Sequence, residues 1–209
     1  MYHLRSKQLN GVTYYFSKAK DGKAPALVNK TKKVSGKTLY FSNTGKGFIS
    51  CGNTEGNQAV ASVIEGAKLS NSMTQDQKLS VVYNYILNKY NYTISDPADL
   101  SSNQWIYTCA YNMFKYGDAK CYNYAALTGL SANALGFNVR FETGVAARSA
   151  GGEKTEHAWV VVNDQYVLDS CYDDVNNKSG NQYFYKTYDE IRDSEGSEYQ
   201  VNKTFTLSD

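Results

Sequence analysis

The chain has 209 residues, 42% of them hydrophobic, enough to bury a normal core as one large domain or as a small module beside a medium one. Twenty-two basic against 20 acidic residues, without blocks beyond the KTKK run from Lys30 to Lys33, do not make a nucleic-acid footprint. No stretch approaches the roughly 18 uninterrupted apolar residues of a membrane helix, and the opening MYHLRSKQLN lacks the apolar core of a secretory signal, so membrane insertion is not expected.

Residues 9–17 (LNGVTYYFS) and 34–42 (VSGKTLYFS) form an internal repeat at an offset of 25. In each copy a glycine leads into an alternating aromatic strand and a polar, Gly-containing turn follows, KDG in one case and NTGKG in the other. That pattern predicts two short β-hairpins that stack on each other and on a neighbouring domain, because a lone hairpin is marginal in water. Nineteen tyrosines, many Asn, Ser and Gly, and only two prolines suit such solvated hairpins and lean toward an extracellular protein.

From Gly52 to Asn71 the chain turns small and polar around NQAVASVIEGAKL, a linker or short helix. Thr74 with Gln77 three residues on makes a capping box, and Leu79, Val82, Tyr83, Ile86 and Tyr90 repeat at helical spacing, so a helix is predicted over 75–90. WIYTCAYNMFKY predicts a helix over 103–115 that ends before Gly117. In KCYNYAALTGLSANAL the residues Ala125, Leu127, Leu130, Ala134 and Leu135 define an apolar face, with Gly136 as C-cap. Beyond Gly136 the period becomes two. FNVRFETGVAA, EHAWVVV, QYVLDS, QYFYKTY and a final VNKTFTL are strand candidates, with DEIRDSEG between the last two. Two or three helices followed by an antiparallel sheet make an α+β fold. The expected partition is hairpin repeats over 1–50, a linker or short helix over 51–73 and the main domain over 74–209.

Cys121 follows the GDAK turn and opens a helix, which places its sulfur among unpaired N–H groups at the positive end of the helix dipole, a setting that favours a thiolate. The other cysteines, Cys51, Cys109 and Cys171, include no CxxC pair and form no disulfide scaffold at this length. His3 lies in the first residues, so His157 is the credible imidazole. A tight turn at Asn163 and Asp164 would set the strand partner of His157 between 169 and 171, bringing Asp169 beside it to orient the ring. Cys171, two residues beyond Asp169, is expected on the same strand face. One Cys, one His and one Asp without local ligand spacing do not make a zinc site, and GxSxG, Walker A, GxGxxG and HExxH are absent, so neither metal nor cofactor is expected.

GDAKCYNYAALTGLSANALGF, then HAW, YVLD and YFYKTYDEI, resembles the transglutaminase-like superfamily from about residue 74 to 193. The resemblance implies a papain-like fold with helices packed on an antiparallel sheet, and a triad of Cys121 as nucleophile, His157 as base and Asp169 as orienting acid. Family members draw an oxyanion donor from upstream of the Cys, a place that Tyr92 matches best and Gln104 second. Ala119 and Lys120 stand where relatives often carry Gly-Val, and the turn from His157 to Asp169 is shorter than usual. Gly11 to Phe16 and Gly36 to Phe41 resemble the choline- and glucan-binding repeats of Gram-positive surface proteins, although Trp105 and Trp159 lie outside them. Together these resemblances imply acyl transfer through a thioester at a bacterial cell surface, acting on a protein or peptide. Hydrolysis is the first reading; protein cross-linking or a non-catalytic wall-binding scaffold are the alternatives. Cell-wall polysaccharide or teichoic acid would be the partners of the repeats.

Overall fold

A computed structural model describes residues 6–9, 12–17, 23–94, 97–176 and 181–207. Gly11 of the first repeat and the KDG turn lie outside them.

Short aromatic and β-branched runs separated by turn residues give five strands: β1 (Ser6–Leu9), β2 (Val12–Tyr15), β3 (Lys30–Val34), β4 (Lys37–Phe41) and β5 (Gly47–Ile49). The expected pair of stacked hairpins is instead one antiparallel sheet in the order β1-β2-β5-β4-β3. The strand that merges them is β5, which pairs with both repeat strands. Gly47 makes this possible: a Cβ there would lie 2.7 Å from the Phe41 ring and 2.8 Å from the Thr13 carbonyl oxygen. The β3–β4 turn uses Ser35 and Gly36, both at positive φ, as a two-residue hairpin turn requires. Tyr40 and Phe48 are buried and join the same hydrophobic core as the helices, so the sheet is packed on the rest of the chain as a collar.

Four helices follow. Asn53 caps α1 (Thr54–Gly66) by accepting from the Gly56 N–H, and Val60 and Val63 bury this helix in the core, where the sequence left a linker or short helix. The predicted capping box starts α2 (Gln75–Lys89): Thr74 N–H donates to Gln77 Oε1 at 2.9 Å and Gln77 N–H to Thr74 Oγ1 at 3.2 Å. Gly117, at φ 81°, ends α3 (Gln104–Tyr116) in the left-handed region. The last helix, α4 (Cys121–Ala134), departs from the amphipathic expectation: every residue except Asn133 is buried. A helix apolar all round sits inside the molecule rather than on it. Its small residues let neighbours approach closely, and at Gly129 an added Cβ would come within 2.3 Å of the Phe141 ring.

The second sheet comprises β6 (Val139–Ala147), β7 (Thr155–Val162), β8 (Tyr166–Leu168), β9 (Phe184–Lys186) and β10 (Glu198–Phe205) in the order β10-β6-β7-β8-β9, every pair antiparallel. Two short helices, α5 (Ser170–Val175) and α6 (Tyr188–Glu195), interrupt it. The result is the α+β fold read from the sequence, with α4 lying against β6 and β7.

Candidate active site

The helix start under Cys121 is held by its own first turn. The Lys120 N–H donates to Asn123 Oδ1 at 3.2 Å, and Asn123 Nδ2 donates to the Cys109 carbonyl at 3.0 Å, which ties the turn to α3. Cys121 is buried, and its sulfur lies where the N-terminal peptide dipoles of α4 favour negative charge.

His157 stands on β7 opposite Gly144 of β6. A Cβ at Gly144 would be 2.0 Å from the Gln200 carbonyl oxygen, so only glycine lets β10 close over this part of β6. The imidazole Nε2 meets Asp169 Oδ2 at 2.7 Å, leaving Nδ1 for the Cys121 sulfur, to which the ring is also hydrogen-bonded. Tyr172 stacks on the ring with centroids 4.1 Å apart and planes 17° apart. Burial favours the neutral ring, but the Asp169 charge and the hydrogen bonds to Asp169 and Cys121 outweigh it and push His157 up to about 10. The balance favours the imidazolium form of His157 beside Asp169.

Asp169 does not close a long strand as the hairpin reading expected. The β7–β8 ladder stops at the Val160–Leu168 pair, after the predicted turn in which Asn163 and Asp164 both take positive φ. Asp169 is instead the N-cap of α5: its Oδ1 accepts from the Tyr172 N–H at 3.0 Å, its Oδ2 accepts from Tyr199 OH at 2.8 Å as well as from His157, and its own N–H donates to the Tyr183 carbonyl at 3.0 Å. A buried carboxyl group so surrounded is fixed in position. The same change moves Cys171 off the expected strand face and into the first turn of α5, where it still borders the site.

A cleft of about 240 Å³ opens over these groups, lined among others by Tyr92, Cys121, Arg148, His157, Cys171 and Tyr172. Tyr92 thus reaches the cleft, 43% exposed at its rim, with its backbone N–H donating to Asp174 Oδ2 at 2.7 Å. Gln104 does not; it borders a separate cavity with Cys109 and Asp118. Four free thiols are buried, and burial pushes Cys51 up and Cys109 up to about 12, so neither is a nucleophile near neutral pH. Tyr172, Tyr199, Arg148 and Asp174 had no signal in the sequence: each arrives from an element whose packing, rather than spacing, brings it here. Among the described residues no group of three or more His, Cys, Asp or Glu is placed to hold a metal ion.

The model of the family described as the transglutaminase-like superfamily matches residues 62–170, just over half of the chain, and its span includes Cys121, His157 and Asp169 but not the N-terminal repeats. No curated protein matches. A solved structure of a candidate cysteine protease from Cytophaga hutchinsonii is similar at 13% identity with a TM-score of 0.39, over 72% of this chain and 50% of that one. The chain thus spans about half the length of that protein.

Proposed function

The chain belongs to the transglutaminase-like superfamily, and we propose that it hydrolyses an amide bond in a peptide or protein through a thioester on Cys121. The observation that carries this reading is the buried contact of His157 Nε2 with Asp169 Oδ2 at 2.7 Å, which leaves the other ring nitrogen to the helix-opening sulfur. A thiolate attacks the carbonyl carbon, and His157 gives its proton to the departing amine as the C–N bond breaks. Water then adds to the thioester, His157 takes the proton, and the carboxylic acid leaves as the Cys121–acyl bond breaks. Asp169 keeps the ring oriented and stabilises its charge throughout. We assign the oxyanion to the Cys121 N–H with the Tyr92 hydroxyl as second donor, since both border the cleft.

Water is favoured over an amine as acceptor because Tyr92, Arg148 and Glu156 at the rim are exposed. We place the protein at a bacterial cell surface, on the resemblance of Gly11 to Phe16 and Gly36 to Phe41 to wall-binding repeats. Retention of the chain on purified Gram-positive cell wall tests that setting, and unretained passage removes it.

The chemistry is tested by mass spectrometry of a glutamine-containing peptide incubated with the enzyme and a primary amine. Deamidation or cleavage, absent in Cys121→Ala, is the expected result. Incorporation of the amine would replace hydrolysis with transamidation, and turnover by Cys121→Ala would remove the thioester altogether.

A further inference from the structure

Arg148 follows directly after β6 and is used by neither the triad nor the core. Its backbone is fixed: Ser197 Oγ donates to the Arg148 carbonyl at 2.8 Å and Tyr183 OH at 3.4 Å. Its side chain is exposed, borders the cleft, and acts electrostatically on Tyr92, Tyr172 and Cys171. The neighbouring buried carboxylates are already engaged. Asp169 accepts from His157, Tyr199 and Tyr172; Asp173 accepts from Tyr83 OH and the Tyr183 N–H; Asp174 accepts from the Tyr92 N–H. Glu156 lies on the same rim without an ion pair to Arg148, and among the described residues the guanidinium has no internal counter-ion.

A guanidinium presents a planar fork of donors matched to a carboxylate, and one carried on a held backbone at a cleft mouth is a recognition element when nothing in the protein occupies it. The size of the cleft sets how far that carboxylate can be from the reacting bond. A space of about 240 Å³ is about 6 Å across, so groups on opposite walls lie within about two residues of extended chain at about 3.5 Å per residue.

Resting on the Cys121 reading above, we propose that Arg148 selects substrates bearing a carboxylate on, or immediately beside, the residue whose amide is cleaved. Arg148 is then a specificity-determining residue of an enzyme for acidic peptides, while Cys121 and His157 carry the bond-breaking.

Two haloacetyl reagents of nearly equal size, iodoacetate and iodoacetamide, test this on the intact chain without knowledge of the natural substrate. Alkylation of Cys121 is followed by peptide mass spectrometry at pH 6 in the unaltered protein and in Arg148→Gln. The ratio of the iodoacetate rate to the iodoacetamide rate is expected to fall about fivefold in the variant, the size of a well-placed surface charge pair, while the iodoacetamide rate stays within about twofold. An unchanged ratio overturns the role of Arg148 while leaving the nucleophile standing. If Cys121 reacts with iodoacetamide no faster than free cysteine, the catalytic reading fails and this inference with it. In a second arm, paired amide substrates differing only in Glu against Gln beside the scissile bond should be separated by kcat/KM in the unaltered enzyme. Arg148→Gln should erase that preference with the Gln substrate unaffected, and equal use of both by the unaltered enzyme refutes the proposal.

Discussion

Replacing Asp169 with Asn keeps the shape of the side chain and removes what holds the imidazolium. The Asp169 oxygens accept three hydrogen bonds, from His157 Nε2 and Tyr199 OH on Oδ2 and from the Tyr172 N–H on Oδ1. An amide has one oxygen. If it caps Tyr172, its NH₂ faces two other donors; if it faces His157, its NH₂ meets the Tyr172 N–H. Keeping the imidazolium buried without its partner would cost about 3–5 kcal/mol, so the ring gives up its proton instead. Burial, the largest influence on His157 and one that favours the neutral ring, is then opposed only by the contact with Cys121. Loss of the positioned acid is expected to lower kcat by about 10²–10⁴.

The assay is ring-proton NMR against pH, simple because the chain contains only two histidines and His3 serves as the comparison. In the unaltered protein His157 should stay protonated until about pH 10; in Asp169→Asn it should titrate well below that. Stability follows with a definite sign. Because the folded value is raised, the contribution is fully present below about pH 6.5 and is lost as pH climbs through about 10, so unfolding free energy should decline over that window in the unaltered protein and much less in the variant. A His157 that titrates near 6.5 with Asp169 intact, or near 10 without it, refutes the ion-pair account.

Gly129→Ala drives a methyl into the Phe141 ring, 2.3 Å away, and should cost about 1–3 kcal/mol by urea denaturation with an unchanged slope, losing activity more than in proportion because α4 carries Cys121; Phe141→Leu in the same chain should restore part of both. Asp173 is pushed up to about 6 by burial, so its contribution is present below the ordinary carboxylate range and lost as pH rises through about 6; Asp173→Asn should flatten the stability profile between about pH 4 and 7, and an unaltered slope there would show that another group titrates. Phe48→Ala should cost about 3–5 kcal/mol in the same cooperative transition that exposes the helices, because Phe48 belongs to their core; an unchanged midpoint would make the first sheet an independent appendage.

How much was legible depended on whether the signal was local. Thr74 with Gln77, Gly117 after α3 and the Asn163–Asp164 turn are short-range chemistry, and each stands where the sequence put it. The neighbourhood of His157 and Asp169 was legible from turn length, although the contact itself is made from the cap of α5 rather than from the ladder. What went astray was set by distant partners. The all-round burial of α4 depends on which elements surround it, and an apolar face was visible only because larger residues outnumber the alanines and glycine on one side. That β8 gives way to a helix after Leu168 depends on packing that the run YVLDSCYDD does not display. The capping capacity of Asp169 was the available clue, since Asp is among the preferred N-caps.

That break has a mechanical consequence. Because Asp169 both caps α5 and holds His157, and Asp174 in the same helix holds the Tyr92 backbone, a helix of six residues joins these two cleft-lining residues. A continuous strand at residues 169–174 would alternate its side chains across the sheet and could not present Asp169 and Asp174 to these two partners together. In the helix, by contrast, Asp169 sits at the N-cap, where its side chain also accepts from the first-turn N–H of Tyr172. The short helix therefore fixes the spacing between His157 and the Tyr92 backbone with few residues. Changes that unwind α5 should accordingly disturb both at once.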